Sequence, residues 1–232
     1  FGADYLSHIS LNNFFGIELD DFAHEVAKLA LWLAEHQMNQ EFFKVIGKSN
    51  PTLPLKDAGQ IQCGNAARLD WKKICPLKNK EEVYLLGNPP YLGSSLQNSS
   101  QKEDLCLVFE NEKVKKYKSL DYISIWFVKG VNFILNRKSK LGFVTTDSIC
   151  QGQQVELLWP SIDQKKVEIF FAHTSFKWNN NAKNKAGVSV VIIGIQNVSS
   201  GPKHLFFENK VLEVPNINYS LSPTKNIIVS KR

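Results

Sequence analysis

Val83-Tyr84-Leu85-Leu86-Gly87-Asn88-Pro89-Pro90-Tyr91 is the stretch whose reading decides the fold. Its first four residues form a short apolar run stopped by Gly and Pro, the pattern of a buried parallel strand. Asn88 then falls at the carboxyl end of that strand, where open α/β sheets bind their ligands. Pro89 and Pro90 fix φ and remove two backbone donors, which leaves the carbonyls of Asn88 and Pro89 in a rigid, acceptor-rich corner. An exocyclic amine suits such a corner. The Asn88 side-chain oxygen and the Pro89 carbonyl can each accept one N–H, drawing the nitrogen lone pair out of conjugation and aiming it at an electrophile. Tyr91 offers a flat face for a planar amide or base. Taken alone, the pentapeptide is also compatible with an ordinary Pro-Pro turn after a strand, so the flanking motifs carry the decision.

Upstream, Phe14-Phe15-Gly16-Ile17-Glu18-Leu19 reads as a strand ending in an acid. A carboxylate there can accept both hydroxyls of a ribose, or it can cap the helix that follows. Asp20-Asp21 open that helix, expected through about Met38. Its apolar residues Phe22, Val26, Leu29, Ala30 and Leu33 recur at helical spacing and predict a core face. His24-Glu25 lacks a second His four residues on, where Lys28 stands, so no metalloprotease motif forms and His24 is read as a solvated helix residue. Ile61-Gln62-Cys63 is the next strand, with Gly64-Asn65-Ala66 at its end; by itself Gly-Asn is a turn.

Downstream, Leu92 to Glu103 has the composition of a mobile polar loop beside the corner. Leu107 to Tyr117 reads as a charged helix and Ser119 to Asn136 as an apolar helix covering the sheet. Leu141–Thr145 is a strand, followed by a polar turn at Thr146-Asp147-Ser148 and a helix from Gln151 to about Pro160. Val167–Phe171 and Val188–Ile195 are two more strands. Between them His173 to Lys185 mixes aromatic, basic and amide side chains. Aromatics supply stacking platforms, and Lys177, Lys183 and Lys185 can contact phosphates, which is what a loop gripping an unstacked nucleotide needs. A hairpin loop with buried aromatics and a solvated lysine run is the plainer alternative.

Asn-Pro-Pro-Tyr after an apolar strand resembles the catalytic motif of S-adenosylmethionine-dependent amino-group methyltransferases, above all the DNA adenine-N6 enzymes. Gly16-Ile17-Glu18-Leu19-Asp20, Gly64-Asn65-Ala66, Phe143-Val144-Thr145-Thr146-Asp147-Ser148-Ile149 and Ser175-Phe176-Lys177-Trp178 are similar, in order and spacing, to the methyltransferase part of fused type II restriction-modification enzymes. The resemblance runs to about Ile195. It implies an α/β, Rossmann-like doubly wound sheet of the class I methyltransferase type. It also implies methyl transfer from S-adenosylmethionine to the N6 amine of a flipped adenine in double-stranded DNA. Asn88, Pro89, Pro90 and Tyr91 become the catalytic corner. Glu18 takes the cofactor ribose and Leu19 packs beside the adenine. Asn65 reads the adenine amine, and Ala66 leaves room for the ring. Phe176, then Trp178, joins Tyr91 in stacking on the extruded base. Fused nuclease and target-recognition domains outside the chain are a further implication. Enzymes of this type carry an Asp-Pro-x-x-Gly-x-Gly turn after their first strand, and none precedes Glu18. With an opening Phe1, this gives the expectation of a chain lacking that strand and glycine loop, with a partial catalytic domain over residues 1–200 and a trailing segment over 201–232. The same corner serves amino methylation of an RNA base or a protein glutamine, and the absent glycine turn leaves a non-catalytic nucleic-acid-binding fragment as a further alternative.

Composition narrows the remaining classes. A chain of 232 residues with 43% hydrophobic and 22% charged residues can bury a sizeable core. A net charge of +6 suits a polyanionic partner without requiring one. Four widely spaced cysteines include no Cys-x-x-Cys pair, so no zinc knuckle or redox pair is expected, and a reducing, cytoplasmic setting fits. No metal and no membrane partner are expected, since no metal-ligand constellation, membrane-spanning apolar run or signal peptide can be read. The absence of Gly-x-Gly-x-x-Gly counts against a dinucleotide oxidoreductase.

Overall fold

The computed structural model describes residues 9–47, 59–77, 81–112, 114–178 and 188–227. The chain divides into two compact units, Phe1–Leu77 and Lys78–Arg232.

In the first unit, strand β1 (Phe15–Glu18) pairs in parallel with β2 (Gln60–Cys63), and Glu18 stands opposite Cys63. Parallel neighbours need a crossover, and helix α1 (Asp21–Ile46) supplies it. The Asp20 carboxylate caps its first turn by accepting the Ala23 N–H at 2.8 Å. Gly47 ends it with φ 73°, the left-handed conformation that favours glycine after a helix. The helix thus runs about two turns beyond the expected end at Met38.

Two readings of α1 are corrected. The expected core stripe is outward: Phe22, Val26, Leu29 and Leu33 are exposed, and no residue of the helix is buried. The half-buried side instead carries Ala23, His24, Ala27 and Leu31. Hydrophobic spacing marked a face, but two short strands cover only one side of a 26-residue helix. Nor is His24 solvated: its side chain is only 12% exposed, and its Nε2 lies 3.0 Å from the Ile61 carbonyl oxygen of β2.

The second unit holds a six-stranded mixed sheet, in the order β3-β4-β6-β5-β7-β8. These strands are β3 (Val83–Gly87), β4 (Ser139–Thr146), β5 (Val167–Lys177), β6 (Ser189–Asn197), β7 (Lys203–Phe207) and β8 (Lys210–Val214). Strands β3 and β4 are parallel, and β6 is antiparallel to both β4 and β5. It follows that β3, β4 and β5 share one direction and their carboxyl ends share one edge. Strand β7 is parallel to β5, and β8 folds back on β7, so residues just beyond 200 extend this same sheet.

Strand β3 is parallel as expected, but it is an edge of this sheet rather than a buried strand, with Tyr84 61% and Leu86 77% exposed. Of the remaining helices, α2 is the short Trp71–Ile74 of the first unit, and in the second α3 spans Ser99–Phe109, α4 Ser124–Ile134 and α5 Gly152–Asp163. The core is built by α4 and α5 against the sheet. Phe127 of α4 meets Phe143 of β4 and Trp159 of α5 edge-on, and Trp159 stacks on Tyr219 at 4.6 Å.

On β5, Phe171 pairs with Gly194, whereas Ile169 pairs with Ile195 and Ala172 with Ile193. Phe171 therefore points to the sheet face opposite the one that buries Ile169 and Ala172. Its ring crosses Gly194 so closely that a Cβ there would lie 2.1 Å from Phe171 Cε1.

Candidate active site

The corner forms where β3 ends. Gly87 is still paired with Phe143 of β4; beyond it Asn88 is exposed, Pro89 is buried, and Pro90 and Tyr91 return to the surface. A buried proline seats the turn while the Asn88 amide remains accessible, the combination needed if a side-chain oxygen is to meet a ligand amine.

The segment after Tyr91 is not the mobile loop expected from its composition. Leu92 donates its N–H to Asp121 Oδ1 at 2.9 Å. The Leu92 carbonyl accepts from the Tyr122 N–H at 3.0 Å and from Gln97 Nε2 at 2.9 Å. Asn98 and Gln101 form a reciprocal capping box, so α3 begins at Ser99, well ahead of the charged helix expected from Leu107.

Phe176 lies on β5 rather than in a loop, because the strand continues through Lys177. His173 pairs with Ile192 and Phe176 with Val190, three steps on β5 against two on β6. That extra residue is a β-bulge, and it brings Phe176 onto the same face as His173 despite their odd spacing. The two rings meet edge-on at 5.2 Å, and His173 stacks on Phe206 of β7 at 5.5 Å. Ser175, within the bulge, donates its hydroxyl to Asp147 Oδ2 at 3.1 Å and ties β5 to the turn after β4. Trp178 lies 6.4 Å from Phe176, tilted by 42°, and its N–H bonds the Val188 carbonyl. Asn88 and Phe176 therefore occupy the same carboxyl edge of the six-stranded sheet. Lys177 is exposed beside them on β5, while Lys183 and Lys185 lie outside the described residues.

In the first unit, Glu18 and Asn65 come together at the carboxyl edge of the β1–β2 pair, where the Gly64 N–H bonds the Glu18 carbonyl at 2.8 Å. Glu18 Oε1 accepts from the N–H groups of Leu19 and Asp20 at 2.8 and 3.3 Å. This fixes the carboxylate and leaves it acceptor-only, the chemistry a ribose diol requires. Asn65 Oδ1 accepts the Ala67 N–H at 2.8 Å, forming the turn that Gly-Asn suggests. The Ala66 carbonyl is held by Trp71 Nε1 at 2.9 Å, and Leu19 is 69% exposed. A fixed carboxylate acceptor at this edge fits the ribose hydroxyls in the nucleoside half of S-adenosylmethionine.

Three polar residues of the second unit have no site role in the sequence reading: Gln97, Asp121 and Gln154. Asp121 carried a usable signal, an acid just ahead of an apolar helix. Gln97 carried none. Among the described residues no group of His, Cys, Asp or Glu could hold a metal ion, and no helix is long and apolar enough to cross a membrane.

Comparison with known proteins shows the family and the fold. The family model described as "MmeI, DNA-methyltransferase domain" matches residues 2–207. "DNA methyltransferase A" of Bacillus subtilis (strain 168) is 47% identical over 230 residues, which is 98% of this chain and 26% of that protein. The solved structure of the type IIL restriction-modification enzyme MmeI in complex with DNA superposes with a TM-score of 0.89 at 36% identity, covering 100% of this chain and 31% of that one. The chain thus spans about a quarter to a third of the length of these relatives.

Proposed function

The chain belongs to the MmeI DNA-methyltransferase domain family, and on that premise we propose that it transfers a methyl group from S-adenosylmethionine to the N6 amine of an adenine flipped out of double-stranded DNA, as the modification part of a restriction-modification system. The observation that carries this reading is the corner itself: Asn88-Pro89-Pro90-Tyr91 at the carboxyl end of β3, exposed at Asn88, seated by buried Pro89, and on the same sheet edge as Phe176.

An adenine amine is a poor nucleophile because its lone pair is delocalised into the ring. Hydrogen bonds from the amine to Asn88 Oδ1 and the Pro89 carbonyl favour the pyramidal nitrogen and orient its lone pair, an effect felt mainly as the new bond forms. Tyr91 and Phe176 hold the extruded ring, with Trp178 beside Phe176, and offset the stacking lost when the base leaves the duplex. Lys177, with Lys183 and Lys185, contacts phosphate. Glu18 takes the cofactor ribose, Asn65 its adenine amine, and Leu19 and Ala66 border the ring. S-adenosylmethionine, when bound, would supply an already electrophilic sulfonium methyl, its sulfur–methyl bond breaking to leave a neutral thioether while the amine gives up one proton to solvent, so the protein needs to provide orientation rather than a nucleophile. We assign this chemistry to residues 1–200, with β7 and β8 extending the same sheet, and the relatives' greater length fits fused nuclease and target-recognition domains acting with it.

The test is transfer of isotopically labelled methyl groups by the protein from its full coding sequence, with duplex DNA, RNA and protein offered separately. Label should appear in duplex DNA and, after digestion, in N6-methyl-2′-deoxyadenosine. Label in RNA or protein alone, or in no substrate, would overturn the proposal.

A further inference from the structure

Asn88 to Tyr91 hang between two anchors. The first is the β3–β4 ladder, which ends at Gly87 opposite Phe143. The second is the Leu92 peptide, whose two polar groups are met by three partners: its N–H by Asp121, and its carbonyl by the Tyr122 N–H and by Gln97. Asp121 Oδ1 also accepts the Ile123 N–H at 3.1 Å, so one carboxylate oxygen joins the catalytic turn to the start of α4. The segment it belongs to is itself fixed. Gln154 of α5 accepts the Asp121 N–H at 3.0 Å and donates to the Ser119 carbonyl at 3.0 Å, while the Tyr122 hydroxyl bonds buried Asp104 of α3 at 2.6 Å.

Gln97 adds a second argument. It is 4% exposed, and its Nε2 bridges the Leu92 and Leu120 carbonyls at 2.9 and 3.0 Å. Its Oε1 is buried with no hydrogen-bond partner among the described residues. An apolar side chain of similar shape would remove that unmet acceptor but also the donor to the Leu120 carbonyl, exchanging one unmet acceptor for another, so stability alone gives little reason to place an amide there. What the amide adds is a fixed position for the Leu92 carbonyl, one residue from Tyr91.

We infer that Asp121 and Gln97 are positioning residues for methyl transfer: they clamp the Leu92 peptide and so hold the Asn88–Tyr91 turn in the geometry that orients the target amine. This deepens, and rests on, the proposed methylation of a flipped adenine. A fixed acceptor gives more in the transition state than in the ground state, and small misplacements of such groups cost rate rather than binding.

Gln97→Met tests this most cleanly, since it keeps the side-chain volume and removes both the two donated bonds and the unmet oxygen. In the protein from the full coding sequence, the single-turnover methylation rate should fall about tenfold. The melting temperature and the KM values for S-adenosylmethionine and duplex DNA should stay near those of the unsubstituted protein. Asp121→Asn keeps an oxygen for the Leu92 and Ile123 N–H groups and should retain most of the rate, whereas Asp121→Ala should lose it. Asn88→Ala runs alongside. If Asn88→Ala abolishes transfer while Gln97→Met and Asp121→Ala both fold and react at the original rate, the clamp is refuted and the methyltransferase reading stands. A Gln97→Met protein that melts early but reacts normally per folded molecule also refutes the clamp, by showing a structural role only. If Asn88→Ala itself reacts normally, the underlying reading fails and the clamp falls with it.

Discussion

Replacing Gly194 with Ala probes how the aromatic face beneath the proposed site is built. The added Cβ would sit 2.1 Å from Phe171 Cε1 and 2.2 Å from Cδ1, with Phe170 Cε1 at 3.0 Å. Carbon atoms pack at about 3.5 Å, so the Phe171 ring must retreat by about 1.4 Å. It has little freedom to do so, since Phe170 meets it edge-on at 4.9 Å and Phe206 at 6.4 Å, and Phe206 in turn stacks under His173. Overpacking of this kind costs about 1–3 kcal/mol, against which Ala returns about 0.5–1 kcal/mol by restricting the unfolded chain. A contact as short as 2.1 Å belongs in the upper half of that range, about 2–3 kcal/mol, so the net expectation is about 1–2.5 kcal/mol of destabilisation, or a melting temperature lowered by about 4 °C. Thermal and denaturant unfolding measure it. Phe171→Leu in the same background relieves the clash, so the double-mutant cycle should show a favourable coupling of about 1 kcal/mol. An unchanged melting temperature for Gly194→Ala, or strict additivity with Phe171→Leu, would refute the reasoning.

Phe176→Ala removes a proposed stacking partner and should weaken binding of an extruded base by about 1–3 kcal/mol, read as reduced 2-aminopurine fluorescence at the target position in duplex DNA; fluorescence equal to that of the unsubstituted protein would contradict it. Glu18→Ala should raise the KM for S-adenosylmethionine by about tenfold, the loss of about 1.4 kcal/mol, with little change in DNA affinity, and an unchanged KM would remove Glu18 from the cofactor site. The ion pair of Glu168 and Lys203, 3.0 Å apart with side chains 11% and 9% exposed, predicts a pH dependence. Burial opposes ionisation of Glu168, but hydrogen bonds from Gln196, Lys203 and the Ser199 N–H, with the Lys203 charge, outweigh it and hold the carboxyl below its ordinary value. A depressed folded-state pKa gives stability that is fully present above the unfolded value of about 4.3 and is lost as pH falls through the folded one. Glu168→Gln should therefore cost about 3 kcal/mol at neutral pH and flatten the acid limb of the stability profile below about pH 4.3; parallel acid limbs would contradict this.

The parts of the fold that were legible in the sequence are those with a local cause. The run Val83–Leu86 ends where Gly and Pro stop it, the Asp20 cap starts α1 where its carboxylate can reach Ala23, and Gly64-Asn65 makes the turn its composition suggests. What could not be read depends on partners distant in sequence. The apolar stripe of α1 reveals a face but not which side the strands lie against, so the pattern points Phe22, Val26, Leu29 and Leu33 inward whereas the fold leaves them exposed. The exposure of β3 follows from its place at the sheet edge, which no local pattern encodes. Local composition marks Phe176 as an aromatic but gives a loop rather than a strand around it, because the bulge that turns it toward His173 is defined by register with β6. The polar composition around Gln97 is that of solvated loops, and only the bonds to Leu92 and Leu120, 5 and 23 residues away, make it buried.

The most direct test of the central claim is adenine methylation by Asn88→Ala. The full coding sequence, unsubstituted or carrying this change, is expressed in cells free of other adenine methylation, and the genomic DNA is sequenced for N6-methyladenine; purified proteins are compared by single turnover. Because Asn88 is exposed at the carboxyl end of β3 and its oxygen acts chiefly as the amine pyramidalises, turnover should fall by about two orders of magnitude or more while DNA binding stays largely intact. Near-normal methylation by Asn88→Ala, at the same sites and rate as the unsubstituted protein, would contradict the assignment of this corner as the place where the methyl group is transferred.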